Sequence, residues 1–159
     1  MNIFVLHPLP TIAAEYHCDK HVGKMLIESC QMLSTAHHHF GNKVTYKPTH
    51  VNHPCNVWVR KSQIHYSWLS GLANALGRQF TMRYGKVHKS TLVYHKELYY
   101  PPAQLIALPW ISEKPPLAMP DEFKSNDVIE SYRKYYLSKR DKMVLAWNKG
   151  TNCPEWALN

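Results

Sequence analysis

Residues 11–36 read TIAAEYHCDKHVGKMLIESCQMLSTA and run directly into His37, His38 and His39. Wound at 100° per residue, the stretch sorts its side chains onto two faces. Val22, Met25, Leu26, Ser29, Met32, Leu33 and Ala36 fall on one side, the stripe of a helix half buried in a core. His17, Lys20, His21, Lys24, Glu28, Gln31 and Thr35 fall on the other. A face that only had to meet water could hold any mixture of polar residues. This one gathers two imidazoles, two ammonium groups and a carboxylate within about three turns, the inventory for gripping phosphate and moving protons. The stretch predicts one long helix, Thr11 to Ala36, capped by Thr11, with a candidate site on its polar face.

Working outward, Asn2 to Leu6 is a short apolar run expected to lie extended across the helices. Residues 44–53, VTYKPTHVNH, form a connecting loop in which Pro48 excludes a regular helix. A second helix should open at Pro54, capped by His53 or Asn52, because proline suits the first helical position. Val57, Trp58, Ile64, Trp68, Leu69, Leu72, Leu76 and Phe80 carry its buried stripe to RYGKVHKS at 83–90, a turn dense in cations. A third, shorter helix is expected over Ser90–Tyr100. Six of the eleven prolines lie in 101–120, so that span reads as loop and short turns. Asp127 with Glu130 resembles a capping box opening a last helix to about Lys149, with Val128, Tyr132, Tyr135, Met143 and Trp147 facing inward and Gly150 as its stop. Strand alternation and internal repeats are absent. The expected fold is all-α: residues 1–159 as a single helical domain, a compact bundle with a Pro-rich loop between the third and last helices.

With 159 residues, 45% hydrophobic and 19% charged, the chain can bury a core and is no disordered tail. No window approaches the roughly 18 apolar residues of a membrane span, and MNIFVLHPLP lacks the basic lead of a secretory signal. A cytoplasmic protein with no membrane partner is expected. The four cysteines, Cys18, Cys30, Cys55 and Cys153, form no CxxC pair and read as reduced thiols. The net charge of +8 attracts polyanions.

Eleven histidines raise the question of metal, and His17 and His21 stand four apart on one face. The residues between them are not those of a zinc-protease motif, and Lys20 beside the pair disfavours a cation. Neither a metal nor another cofactor is expected. Glycine loops for phosphate, dinucleotide fingerprints and GxSxG are missing, which argues against enzymes built on those motifs. Phosphate gripping is better supported. THVNHP, residues 49–54, leads into a helix N-terminus that favours an anion, with Asn52 and His53 at its mouth. RYGKVHKS adds the mixture of cations and an aromatic used on nucleic-acid backbones and bases. Lys20, Lys24, Asn52, Arg83, Tyr84, Lys86, His88 and Lys89 are therefore expected to hold phosphate. His17, His21, His50 and His53 would handle protons, with Asp19 or Glu28 orienting them.

The strings CDKHVGKM, LSTAHHH, YKPTHVNHPCNVW, RYGKVHKS and MPDEFK resemble a family of small proteins of phages and bacteria. A more distant similarity is to the pyrimidine-dimer DNA glycosylases with abasic-site lyase activity, the phage endonuclease V family. It rests on Ala14-Glu15-Tyr16, on a Pro-initiated second helix ending near Arg83-Tyr84-Gly85-Lys86, and on the closing Pro154-Glu155-Trp156. The resemblance implies an all-α fold and a Schiff base formed by the N-terminal α-amine at the sugar C1′, helped by a carboxylate on the first helix. Such an amine is partly unprotonated near neutral pH. Asn2 is large for methionine removal, so Met1 would supply the amine; Glu15, Asp19 and Glu28 all remain candidates for the carboxylate, and Cys18 stands about where the acid is expected. The leading expectation is an enzyme acting on DNA or a nucleotide by glycosylase or lyase chemistry. Its rivals are a non-catalytic binder of a phosphorylated small molecule or signalling nucleotide, and a His-dependent phosphodiesterase.

Overall fold

A computed structural model describes residues 1–158. The protein is all-α, with seven α-helices and no strand among those residues: α1 Pro10–Tyr16, α2 Asp19–His39, α3 Pro54–Val59, α4 Gln63–Tyr84, α5 Lys89–Val93, α6 Ala103–Ile106 and α7 Val128–Leu137. Helices α2 and α4 form the central pair, and α1 lies along α4. Every residue of the apolar stripe on α2 is buried, from Val22 through Met25, Leu26, Met32 and Leu33 to Ala36, and meets Leu69, Leu72 and Leu76 of α4 in one core. Among the described residues no helix is long and apolar enough to cross a membrane.

The expected first helix is two. α1 ends at Tyr16 and α2 starts at Asp19, with His17 and Cys18 both in extended conformation. The break has a purpose in hydrogen bonding, because the chain ends it exposes are taken by residues far away. Arg83 donates through Nη1 to the His17 carbonyl at 2.7 Å and through Nη2 to the Glu15 carbonyl at 2.9 Å. The Cys18 N–H donates to the Tyr136 hydroxyl, and the Asp19 N–H to the Ala146 carbonyl, both at 2.8 Å. Buried main-chain groups must find partners, and here tertiary ones replace the helical ladder. Helix α1 starts at Pro10, one residue before the expected cap.

The same junction explains why the last helix stops at Leu137 instead of reaching Lys149. After a 3-10 turn at Ser138–Asp141 the chain runs extended across the α1–α2 break. There Asn148 N–H donates to Asp19 Oδ2 and Trp147 Nε1 to the Tyr16 carbonyl. A continued helix would have kept the Asn148 N–H for itself. The second expected helix also divides, into α3 and α4, around Arg60–Ser62, where Ser62 Oγ caps α4 by accepting from Ile64 N–H. The third expected helix is α5 followed by a wider π turn at Tyr94–Leu98. Asp127 caps α7 as expected, accepting from Glu130 N–H at 2.9 Å.

Three imidazoles accept, through Nδ1, the main-chain N–H two residues on. Nδ1 of His53 takes the Cys55 N–H at the start of α3, Nδ1 of His88 the Ser90 N–H at the start of α5, and Nδ1 of His7 the Leu9 N–H ahead of α1. Histidine here does the work usually given to Ser, Asp or Asn.

Candidate active site

The chain's first residues lie in the heart of the fold. Asn2 to Leu6 are buried, and Phe4 packs its ring on His21 (5.9 Å between centroids), Tyr135 and Tyr136. Phe4 has φ +32°, a conformation that side-chain-bearing residues avoid. Asn2 holds it there: its Oδ1 accepts from Ile3 N–H at 2.8 Å and Phe4 N–H at 2.9 Å, while its Nδ2 donates to the Ala118 carbonyl. Strain maintained by surrounding bonds gathers at working sites.

That bend carries the α-amine of Met1 to 3.8 Å from Oε2 of Glu28, on α2, and the same oxygen accepts the Asn2 N–H at 2.8 Å. The Met1 side chain is 3% exposed, and its sulfur receives Asn56 Nδ2 at 3.3 Å. Asn56 is buried and also donates to the carbonyls of Thr49 and His50, fixing the loop that precedes α3. Loop and chain start are thus pinned together by one amide.

Amine and carboxylate open onto a cleft of about 440 Å³, to which Phe4, Lys24, His53, Met119, Tyr135 and Lys139 also contribute. Lys24 is exposed; Lys139 stands with Nζ 3.5 Å from the centre of the Tyr135 ring. Both ammonium groups act electrostatically on His21, which places them on the same side of α2. The His53 imidazole is held below its ordinary pKa by burial first, then by the Met1 ammonium and His50, with Glu28 opposing. A potential nucleophile, a carboxylate beside it, an imidazole pushed towards its neutral form and two ammonium groups thus share one opening. The arrangement can take a proton from an amine and hold an anionic substrate over it.

The expected site residues divide sharply. Glu28, His53 and Lys24 meet in the cleft, and exposed His50 stands next to it with φ +47° and Nδ1 2.7 Å from Thr49 Oγ1. Asn52, Lys20, Lys86 and Lys89 are exposed and outside the cleft lining. His17 and His21 are buried behind Phe4 among aromatic rings, and burial is the main force lowering their pKa values, to about 3 and about 4. Nδ1 of His17 lies 2.7 Å from the Ala13 carbonyl, so these rings are packing groups.

Asp19 and Arg83 pair with each other at 3.1 Å in the interior, and Arg83 is further occupied by Gln79 and the two carbonyls already described. Arg83 therefore presents no free donor to a phosphate. Tyr84 donates to the Asp19 carbonyl and His88 caps α5, so both hold the fold. Lys139 and Tyr135 were not among the residues expected to form a site. Their segment reads as an amphipathic helix, and nothing in its spacing points back to the chain's start.

Two other cavities differ in kind. An apolar one of about 580 Å³ lies under Trp58, His65 and Trp68, where Trp58 Nε1 and both His65 nitrogens already have main-chain partners. It has no free polar group on those rings to do chemistry. A polar one of about 770 Å³ lies between α1, α4 and the last residues, where the Arg133 guanidinium stacks on Tyr16 and Trp156. No group of three or more histidine, cysteine or acidic side chains is placed to hold a metal ion among the described residues, and all four cysteines are free thiols. Compared with known proteins, the chain matches no family model, no curated protein and no solved structure.

Proposed function

We propose that the protein cleaves DNA at abasic sites, using the α-amine of Met1 as nucleophile, and that removal of a damaged base proceeds by the same attack at the sugar C1′. The single observation that supports this reading is the contact of that amine with Glu28 inside a cleft flanked by Lys24 and Lys139. A mere phosphate binder has no use for a carboxylate facing its anion site. A His-dependent phosphodiesterase lacks support because His17 and His21, the best-spaced pair, are sealed in the core.

The chemistry follows from the groups present. Glu28 takes a proton from the amine, whose lone pair then attacks C1′ of the ring-opened deoxyribose aldehyde. The carbonyl π pair moves to oxygen, which takes one proton from the attacking nitrogen and one back from Glu28 and departs as water, while the nitrogen lone pair closes the iminium between Met1 and the sugar. Loss of a proton from C2′ to Glu28 and breakage of the C3′–O bond then release the 3′ phosphate. Lys24 and Lys139 hold the flanking phosphates throughout. The buried Met1 side chain and its Asn56 bond give the retained methionine a structural place at the nucleophile.

Borohydride reduction in the presence of an abasic oligonucleotide tests the reading. Wild-type protein should give a covalent adduct whose peptide map ends at Met1. Glu28→Gln, which keeps an acceptor for the Asn2 N–H but cannot take a proton, should form it slower by on the order of 10²-fold or more. Absence of a wild-type adduct, or its attachment to a lysine, removes the Met1 mechanism.

A further inference from the structure

We propose that His53 is a fixed hydrogen-bond donor of this cleft, presenting Nε2–H to the oxygen on the carbon under attack, and that it is not the cleft's base. The inference rests on the lyase reading above. The starting point is the cap of α3. Nδ1 of His53 accepts the Cys55 N–H at 3.2 Å, and a backbone N–H can only donate. Nδ1 is therefore unprotonated, and the single proton of the neutral ring belongs to Nε2. Among the described residues Nε2 has no protein partner, and the ring lines the cleft that holds Met1 and Glu28.

The surroundings keep the ring in that state. The Met1 amine, Lys24 and Lys139 face the cleft, with His50 next to it and Glu28 as the one carboxylate in its lining. Burial and the neighbouring Met1 and His50 charges push the imidazole towards its neutral form. Protonating Nδ1 would moreover set it against the Cys55 N–H and break the cap. His53 thus differs from the other histidines first considered for this chemistry: it reaches the cleft, with one nitrogen tied and the other free.

A neutral imidazole in this tautomer polarises a carbonyl without giving up its proton. As the amine nitrogen bonds to C1′, the carbonyl π pair moves to oxygen, and Nε2–H stabilises the charge that develops there. The two protons that turn this oxygen into departing water both come from the amine: the one Glu28 took, and a second that the nitrogen releases once its bond to C1′ has formed. Nε2–H stays intact from start to finish. Labour is divided in consequence: Glu28 moves protons, and His53 only orients and stabilises.

The test separates the cap from the donor. His53→Asn keeps an excellent N-cap for α3, because its short side chain reaches the Cys55 N–H but not the cleft. With saturating abasic DNA, the single-turnover rate of borohydride-trapped adduct should fall on the order of 10²-fold. DNA affinity and melting temperature should be unchanged, and the pH–rate profile should keep its wild-type shape at lower amplitude. A wild-type adduct with His53→Asn within twofold of its rate overturns the role of His53 alone, as does a profile that loses an inflection near the imidazole range. No wild-type adduct at all overturns the lyase reading and this role together. An activity-free readout is the nitrogen-15 spectrum of the wild-type His53 ring: an Nε2–H tautomer supports the assignment, and an Nδ1–H tautomer overturns it.

Discussion

Asn2 bonds through its whole side-chain amide and its own N–H: Oδ1 to two N–H groups, Nδ2 to the Ala118 carbonyl, and the N–H to Glu28. One residue therefore bends the chain at Phe4, fastens it to the segment before α7, and fixes the carboxylate that faces the amine. Arg83 is its counterpart in the interior. From sequence, Arg83 was expected to hold phosphate because it stands in RYGKVHKS. The structure instead buries it against Asp19 and the open end of α1. Removing one partner of a buried pair strands the other's charge, at a cost of about 3–5 kcal/mol. Arg83→Met should therefore lower the unfolding free energy by about that much in urea titration. The salt dependence of DNA binding by the fraction still folded should stay as in wild type. A variant as stable as wild type with weakened DNA binding would return Arg83 to the phosphate-binding group.

At the level of elements, α2 has a sealed flank where solvent was expected. The chain start and α7 cover His17 and His21, so both rings are neutral in the folded protein, with pKa values near 3 and 4. The unfolded chain binds protons on them near pH 6.5. Folded values below unfolded ones mean that the unfolded state holds more protons between the two. Stability is then complete above about pH 6.5 and falls as the pH drops towards 4. Each ring contributes a slope of about 1.4 kcal/mol per pH unit in that window. Urea unfolding at pH 7, 5.5 and 4.5 measures it, and His21→Phe should reduce the slope by one ring's share, about 1.4 kcal/mol per pH unit. A stability flat from pH 7 to 4.5 would show that the rings are not buried neutral.

This is also the scale at which the sequence stops being legible. The apolar stripe of α2 and the caps at His53 and Asp127 are local patterns, and they read correctly. The breaks at His17–Cys18 and after Leu137 are not local. Each exists because the other supplies its hydrogen-bond partners, and no window of residues contains both. Lys139 and Tyr135 went unforeseen for the same reason, whereas Glu28, Lys24 and His53 stood in stretches already rich in the right side chains.

For the whole molecule, a net charge of +8 supplies attraction to any polyanion, but the lyase proposal requires cations at the cleft itself to hold DNA in register with Met1. Lys24→Ala should reduce the slope of log affinity against log salt by about one and slow trapping. Lys86→Ala, on the exposed turn after α4, should change the slope by a similar amount only if DNA extends that far. An unaltered slope for Lys24→Ala, measured by fluorescence anisotropy from 50 to 200 mM salt (about the range in which such slopes are resolved), would place the phosphates elsewhere.

The bent chain start has a consequence for timing. Asn2 and Ala118, which the bend joins, stand 116 residues apart, and Tyr135 and Lys139, which complete the Met1 cleft, lie farther along still. Contacts that close so long a loop form late in folding, because its entropy must be lost before they contribute. Asn2 cannot close on the Ala118 carbonyl, nor Phe4 on Tyr135, until the helices between them have packed. The bend that presents the Met1 amine is thus among the last features to assemble, and an unfinished fold has no cleft around it.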